Sequence, residues 1–103
     1  MEIAKKFDAL CNEGKFEEAE TMVADEFQFT SPMGKVDKAS FLKEFPALYA
    51  DKPTFEDFEQ GATDKQVTRK GSKKIMLILS VSVKETWELT ADGKIKSITA
   101  AKL

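Results

Sequence analysis

Apolar residues in the first half of the chain recur every three or four positions, the spacing that is typical of amphipathic helices. This spacing predicts one helix from Glu2 to Asn12 and a second from Phe16 to about Ala24. Alternating residues then indicate a half-buried strand from Phe27 to Ser31. Asp37 is placed to cap a third helix, and Pro46 is expected to kink that helix or divide it.

From Pro53 onward, apolar and polar residues alternate as they do in strands. The predicted strands are Thr54 to Gln60, Gln66 to Lys70, Lys73 to about Leu89, and Ile95 to Leu103. Hairpin turns are predicted at Gly71-Ser72 and, more strongly, at Asp92-Gly93. The third strand is so long that we expect a bulge at Ser80-Val81-Ser82. Helices followed by antiparallel strands predict an α+β fold, with a bent sheet that curls into a cone.

The composition indicates one soluble domain, covering residues 1–103. Apolar residues make up 42% of the chain and charged residues 33%, which excludes disordered and fibrous architectures. Cys11 is the only cysteine and there is no histidine, so we expect no disulfide within the chain, no metal and no cofactor. The sequence has no signal-peptide pattern and no stretch long enough to span a bilayer, so we expect a cytoplasmic protein with no membrane partner.

Charge is distributed unevenly along the chain. Residues 1–64 carry a net charge of −8 and residues 65–103 a net charge of +6. Five of the basic residues surround Gly71, namely Lys65, Arg69, Lys70, Lys73 and Lys74. This segment has one arginine and no aromatic residue, and the sequence pI is about 5.2. We therefore interpret it as a solvated hairpin tip and expect no nucleic-acid binding.

Two local motifs, Ala24-Asp25 through Gly34 and Asp92-Gly93-Lys94-Ile95, stand within this order of helices and strands. Together they resemble the nuclear-transport-factor-two-like superfamily, particularly its SnoaL-like and ketosteroid-isomerase-like branch. The resemblance covers nearly the whole chain. It implies a cone-shaped, cystatin-like α+β barrel, in which three N-terminal helices pack against a curved and mostly antiparallel sheet.

The resemblance also allows the isomerase chemistry to be checked residue by residue. Similar enzymes place a general-base aspartate before the proline that leaves the first strand, and this chain has Ser31 there. Their oxyanion-binding tyrosine corresponds to Phe7, and a second acid corresponds to Glu85. A serine without a histidine has no evident proton acceptor, and phenylalanine donates no hydrogen bond. The resemblance therefore implies the fold without the isomerase reaction.

Glu85 is the most informative residue of the sequence. It is the single carboxylate in an alternating apolar row from Ile75 to Leu89, two positions before Trp87. If the row faces the interior, Glu85 is a buried catalytic acid or a hydrogen-bond donor to a ligand, and Asp57 is a candidate second carboxylate. If a bulge reverses the phase of the row, Glu85 lies on the surface. Both arrangements remain open at this point.

A set of apolar, aromatic and hydroxyl residues is predicted to line a small apolar pocket inside the cone. The predicted ligand-binding residues are Phe7, Phe27, Phe29, Ser31, Met33, Tyr49 and Trp87. The same large side chains would also form the core of so small a domain, so a filled interior is the alternative.

The face of the sheet that would carry Met76 and Ile78 is also apolar, and a second subunit is the simplest cover for it. We therefore expect a homodimer that acts as a ligand-binding or structural module and takes a small apolar ligand. One alternative is a lyase- or isomerase-type enzyme that uses Glu85. The other is a protein-interaction adaptor with a packed interior and an exposed apolar patch.

Overall fold

The structure is a computed structural model, and it describes residues 2–32, 34–50, 54–76 and 79–103. The helices are α1 (Glu2–Asn12), α2 (Phe16–Glu20) and α3 (Lys38–Ala50). The strands are β1 (Val23–Ser31), β2 (Gly34–Asp37), β3 (Thr54–Phe55), β4 (Glu59–Gln60), β5 (Gln66–Met76), β6 (Leu79–Leu89) and β7 (Ile95–Lys102).

The strands form one curved sheet in the order β2-β1-β7-β6-β5-β3, and β4 also pairs with β5. Strands β1 and β7 run parallel, whereas the other pairs are antiparallel. The Asp92-Gly93 turn joins β6 to β7, and Gly93 has the positive φ of 86° that such a turn requires. These features confirm the predicted α+β class and the mostly antiparallel sheet.

The helices cover the concave face of the sheet with a continuous group of aromatic rings. Phe7 on α1 stacks with Phe45 on α3, and its centroid lies 5.7 Å from that of Trp87 on β6. Phe41 joins this group to Phe27 on β1, with centroids 4.7 Å apart. Helix α1 has the predicted bounds because its apolar residues meet this core at every turn.

Two helix predictions have different outcomes. The Ser40 backbone N–H donates to Asp37 Oδ1 at 2.9 Å, so Asp37 caps α3 as predicted. This hydrogen bond lowers the pKa of the Asp37 carboxyl below its ordinary value of 3.8. The predicted division of the helix at Pro46 is wrong, because α3 continues to Ala50. Burial of the phenylalanines of α3 against the core outweighs the lost backbone hydrogen bond.

Helix α2 is shorter than predicted. The chain leaves it after Glu20, and Val23 already pairs with Ile95 of β7. The Ile95 N–H donates to the Met22 carbonyl at 2.8 Å. Strand pairing therefore replaces the helix where the periodicity alone still favours helix.

The hairpin predicted at Gly71 is also wrong, because Gly71 lies inside β5, which continues to Met76, and Gly71 pairs with Val83 of β6. A Cβ on Gly71 would collide with the ring of Phe55 and the carbonyl of Thr54. The glycine is needed for the close approach of β3, not for a turn.

The bulge expected at Ser80-Val81-Ser82 is absent, since these residues pair in regular register with β5. The register shift lies on β5, between Lys74 and Met76. The inward positions of β6 from Val83 onward therefore alternate regularly, and Val83, Glu85, Trp87 and Leu89 are all buried.

Candidate functional site

The segment from β3 to β4, residues 54–60, forms one wall of the candidate site. Residues 56–58 leave the ladder with β5, so the single strand predicted from Thr54 to Gln60 is divided in two. Phe58 turns into the core and its centroid lies 5.0 Å from that of Trp87. Glu56 and Asp57 remain exposed. We refer to residues 54–60 as the β3–β4 segment.

A buried ion pair lies behind this segment. Arg69 on β5 and Glu85 on β6 are direct cross-strand partners, and their side chains are 4% and 7% exposed. Arg69 Nε donates to Glu85 Oε1 at 2.7 Å, and Trp87 Nε1 donates to the same oxygen at 3.0 Å. A charge at this depth needs such partners, because the protein interior cannot hydrate it.

The ion pair extends to α1. Arg69 Nη1 donates to Asp8 Oδ1 at 3.0 Å, and Asn12 Nδ2 donates to Asp8 Oδ2 at 3.2 Å. The guanidinium carbon of Arg69 also lies 3.8 Å from the ring centroid of Phe55 and 4.7 Å from that of Phe58. Arg69 therefore links α1, the sheet and the β3–β4 segment through charge and through cation–π contact.

A cleft of about 420 Å³ opens between α1 and the β3–β4 segment. Lys5, Asp8 and Asn12 line it from α1. Phe55 and the exposed Glu56 and Asp57 line the opposite wall, and Arg69 contributes between the two walls. The lining offers hydrogen-bonding groups and both signs of charge beside one aromatic ring. The lining is therefore mixed in character, with charged and amide groups for polar contacts and one ring for apolar contact.

The structure separates the two predicted catalytic residues. Glu85 faces the interior, which is the first of the two positions considered from the sequence. Its carboxylate lies in the ion-pair network, however, and does not line the cleft. Asp57 is on the exposed wall of the cleft. The suggested Asp57–Glu85 pair is therefore wrong. The bend of the β3–β4 segment turns Phe58 inward and leaves Asp57 outside.

The predicted ligand-binding residues lie mainly in the core. Phe7, Phe27 and Trp87 are almost completely buried and contact other aromatic rings. Phe29 and Ser31 are half-buried on β1. The remaining two, Met33 and the side chain of Tyr49, lie outside the described residues.

Sequence reasoning missed Asp8 and Arg69. Arg69 belongs to the basic cluster that the sequence predicts to be solvated. It is only 5% exposed and is ion-paired, so the prediction is wrong for this residue. The signal was its position two residues after the apolar Val67, on the same strand face. In the observed register of β5 and β6, that face brings Arg69 opposite Glu85.

The described part of the chain brings together no group of three or more acidic, cysteine or histidine side chains that could hold a metal ion. In the same residues, no helix has the length and apolar character needed to cross a bilayer.

No family model matches this chain, and no curated protein matches it. Solved structures do match this chain. An NTF2-like protein of unknown function from Cytophaga hutchinsonii has a TM-score of 0.79 at 16% identity, over 98% of this chain and 87% of its own. The chain has the nuclear-transport-factor-two-like (NTF2-like) fold. This confirms the fold that the resemblance implied.

Two further solved structures that resemble this chain differ widely in kind. SalBIII, described as an epoxide hydrolase/cyclase-like enzyme in pyran ring formation in salinomycin, has a TM-score of 0.74 at 20% identity, covering 99% of this chain and 88% of its own. A de novo designed protein with a curved β-sheet has a TM-score of 0.74 at 10% identity, covering 99% and 83%. At these identities the likeness establishes the fold alone, and function has to be argued from the site.

Proposed function

We propose that this chain is a homodimeric, SnoaL-like binding module that holds a small molecule in the cleft between α1 and the β3–β4 segment. The observation that carries the proposal is the division between a filled interior and an open, mixed polar cleft. Aromatic rings occupy the concave side of the sheet, where the sequence suggested an apolar pocket. The ligand is therefore expected in the cleft and not in the interior.

The arrangement of Glu85 favours binding over isomerase catalysis. Its Oε1 already accepts hydrogen bonds from Arg69 and Trp87, and it is separated from the cleft by Arg69. A general acid or base must lie within hydrogen-bond reach of the substrate proton. Phe7, at the position of the isomerase tyrosine, is fully buried and has no hydroxyl. A proton-transfer role is thus poorly supported at both positions.

The adaptor alternative is less well supported. Such a module would present an exposed apolar patch to its partner. Among the residues whose side-chain burial is described, which excludes 1, 33, 48–53 and 73–80, Leu103 is the one large apolar side chain that is exposed. The cleft, in contrast, combines the half-buried Phe55 ring with charged groups on both walls. A small ligand with one apolar face and one or two hydrogen-bonding groups fits this lining.

Protein-observed ¹H–¹⁵N NMR with a library of small amphipathic fragments tests the proposal. Binders should shift the amides of α1 and of residues 55–58, and Phe55→Ala should weaken them about tenfold by removing the aromatic wall. Lys6→Ala is the matched control, because Lys6 is exposed on α1 and does not line the cleft. Binders that shift only core amides around Phe27, or a library without binders, would contradict the proposal.

One observation favours a second candidate, an enzyme of the lyase or isomerase type. Asp8 lines the cleft and is joined through Arg69 to the buried Glu85, so a substrate in the cleft would meet a carboxylate held in a fixed position. The likeness to SalBIII suggests ring-opening or ring-closing of an epoxide as the reaction to assay. Turnover that Asp8→Asn abolishes would support this candidate, and no turnover above background would count against it.

A further inference from the structure

The charged groups that line the cleft differ in how far a ligand can reach them. Arg69 lies at the centre of the lining, but its side chain is only 4% exposed. Its Nε and Nη1 already donate to Glu85 and Asp8, and its guanidinium lies on the ring of Phe55. A cation that is enclosed and hydrogen-bonded in this way offers little to an incoming anion. Recognition of charge in the cleft therefore depends on the other groups of the lining.

The accessible charges of the lining are mostly negative. The Asp8 side chain is 23% exposed, and Glu56 and Asp57 are exposed on the opposite wall. Among the lining residues that the structure describes, Lys5 is the accessible cation. None of the described side chains forms an ion pair with Lys5, Glu56 or Asp57. Three carboxylates thus border the cleft against one lysine, whose long side chain can extend into solvent.

Asp8 is the carboxylate that is held in a fixed position. Its Oδ1 accepts from Arg69 Nη1 and its Oδ2 accepts from Asn12 Nδ2. A carboxylate has about four lone-pair positions, so a group held in this way can still accept a hydrogen bond from a ligand. Because the carboxylate is already ordered, a ligand that binds it does not have to immobilise it.

The apolar part of the lining lies beside these carboxylates. The half-buried Phe55 ring contributes to one wall, and Ala9 follows Asp8 on the other. An apolar group of the ligand would be removed from water against this surface, which an inorganic cation cannot exploit. The described residues also bring together no set of side chains that could hold a metal ion. The lining therefore favours an organic cation over a metal ion.

We propose that the ligand of the cleft is a small organic cation, namely a protonated amine on an apolar body. Its ammonium group donates to Asp8 and lies in the negative field of Glu56 and Asp57, while its apolar body packs against Phe55. This inference rests on the proposed binding cleft and specifies the chemical class of its ligand.

Two lysines lie near the same acids but not in the cleft. Lys70 and Lys84 line a recess together with Glu56 and Asp57, and neither lysine lines the cleft. Asp8, in turn, does not line this recess. The two lysines weaken the field of Glu56 and Asp57, so we expect Asp8 to make the main contact and the two exposed acids to contribute less.

Three probes of similar shape test the ligand class by protein-observed NMR titration at neutral pH and low ionic strength. They are benzylammonium, which is protonated benzylamine, together with benzyl alcohol and benzoate. Benzylammonium should bind at least about tenfold more tightly than benzyl alcohol, because a hydrogen bond between charged groups is stronger than one from a neutral hydroxyl. Benzoate should bind most weakly. Added salt should weaken benzylammonium and leave benzyl alcohol unchanged.

Variants that remove one charge from the lining test where the selection arises. Asp57→Asn and Glu56→Gln should each weaken benzylammonium about two- to fivefold, the range of an exposed charge pair. Lys5→Gln should strengthen benzylammonium to a similar extent and weaken benzoate. Glu17→Gln and Lys6→Gln are the matched controls, because they make the same changes of net charge at exposed positions outside the cleft. Neither control should alter the order of the three probes.

Asp8→Asn tests the direct contact. It should remove most of the preference for benzylammonium over benzyl alcohol, because the amide carries no charge. Continued binding of benzyl alcohol shows that this variant is folded. The variants at the exposed positions do not disturb the Arg69 network, so they test the proposal even if Asp8→Asn fails to fold.

The outcomes separate the ligand class from the cleft itself. Benzyl alcohol or benzoate that binds the cleft as tightly as benzylammonium would overturn the cation and leave the cleft as a binding site. Lys5→Gln and Asp57→Asn that change benzylammonium binding no more than the controls would also overturn it. If none of the three probes shifts the amides of α1 or of residues 55–58, the cation is overturned, and the fragment library then decides separately whether the cleft binds a small molecule.

Discussion

Replacing Arg69 with methionine removes the charge at the centre of the Asp8–Arg69–Glu85 network while keeping a long side chain. Glu85 would retain the Trp87 indole as its hydrogen-bond donor and lose its ion-pair partner. Its side chain is only 7% exposed, so water cannot replace the guanidinium. Asp8 would lose less, because its side chain is 23% exposed and can be hydrated.

The expected loss is large for a domain of this size. Breaking a buried ion pair by removing one partner costs about 3–5 kcal/mol. No reduction for solvent screening applies, since both partners are more than nine-tenths buried. The total stability of a small domain is about 5–15 kcal/mol. With about 4–8 °C per kcal/mol, the melting temperature should fall by at least about 12 °C.

Urea denaturation followed by the fluorescence of Trp87, the only tryptophan, measures the effect. Glu85→Gln is the matched variant, because its amide oxygen can still accept from the Trp87 indole. The double variant Arg69→Met/Glu85→Gln removes both charges and should cost clearly less than the two single losses added together. A loss below about 1 kcal/mol for Arg69→Met, or a double variant equal to the sum, would refute a buried and coupled pair.

Three further changes test other features. Gly71→Ala should destabilise the fold by about 1–3 kcal/mol in thermal unfolding, because the added methyl group collides with β3, whereas Ser72→Ala next to it should have little effect. Phe7→Tyr should cost about 1–3 kcal/mol, because the ring is fully buried against Phe45 and Trp87 and the added hydroxyl would have to enter this packed core; a neutral result would reveal room beside the ring. Asp37→Ala should destabilise α3 above pH 3.8 and progressively less as acid protonates the wild-type carboxylate, because the folded-state pKa lies below that value.

Features that depend on local chemistry could be predicted from the sequence. The bounds of α1 follow from apolar residues that recur on one helix face, and the turn at Gly93 follows from the need for positive φ. Gly71 could not be interpreted in this way, because a glycine in an extended segment indicates either a turn or a close approach of another strand. Only the position of β3 decides between the two, and that position is set by tertiary packing.

The error at Gly71 also hid the ion pair of the candidate site. With a turn at that glycine, Arg69 and Glu85 are no longer opposite each other, and Arg69 is grouped with the exposed lysines. Period-two alternation correctly allowed for an inward Glu85, since it depends on β6 alone. Its partner required the register between two strands. Local patterns therefore included a buried Glu85 as one of two alternatives but did not indicate the cation that compensates it.

The position of Arg69 connects the stability of the fold to the shape of the cleft. Through Asp8 it is bound to the α1 wall, and through Phe55 it contacts the β3–β4 wall. Glu85 holds the same guanidinium against the sheet. Any change that releases Arg69 should therefore alter the distance between the two walls as well as lower the stability. A ligand that binds only the closed cleft would in turn raise the melting temperature, because it binds the folded state alone.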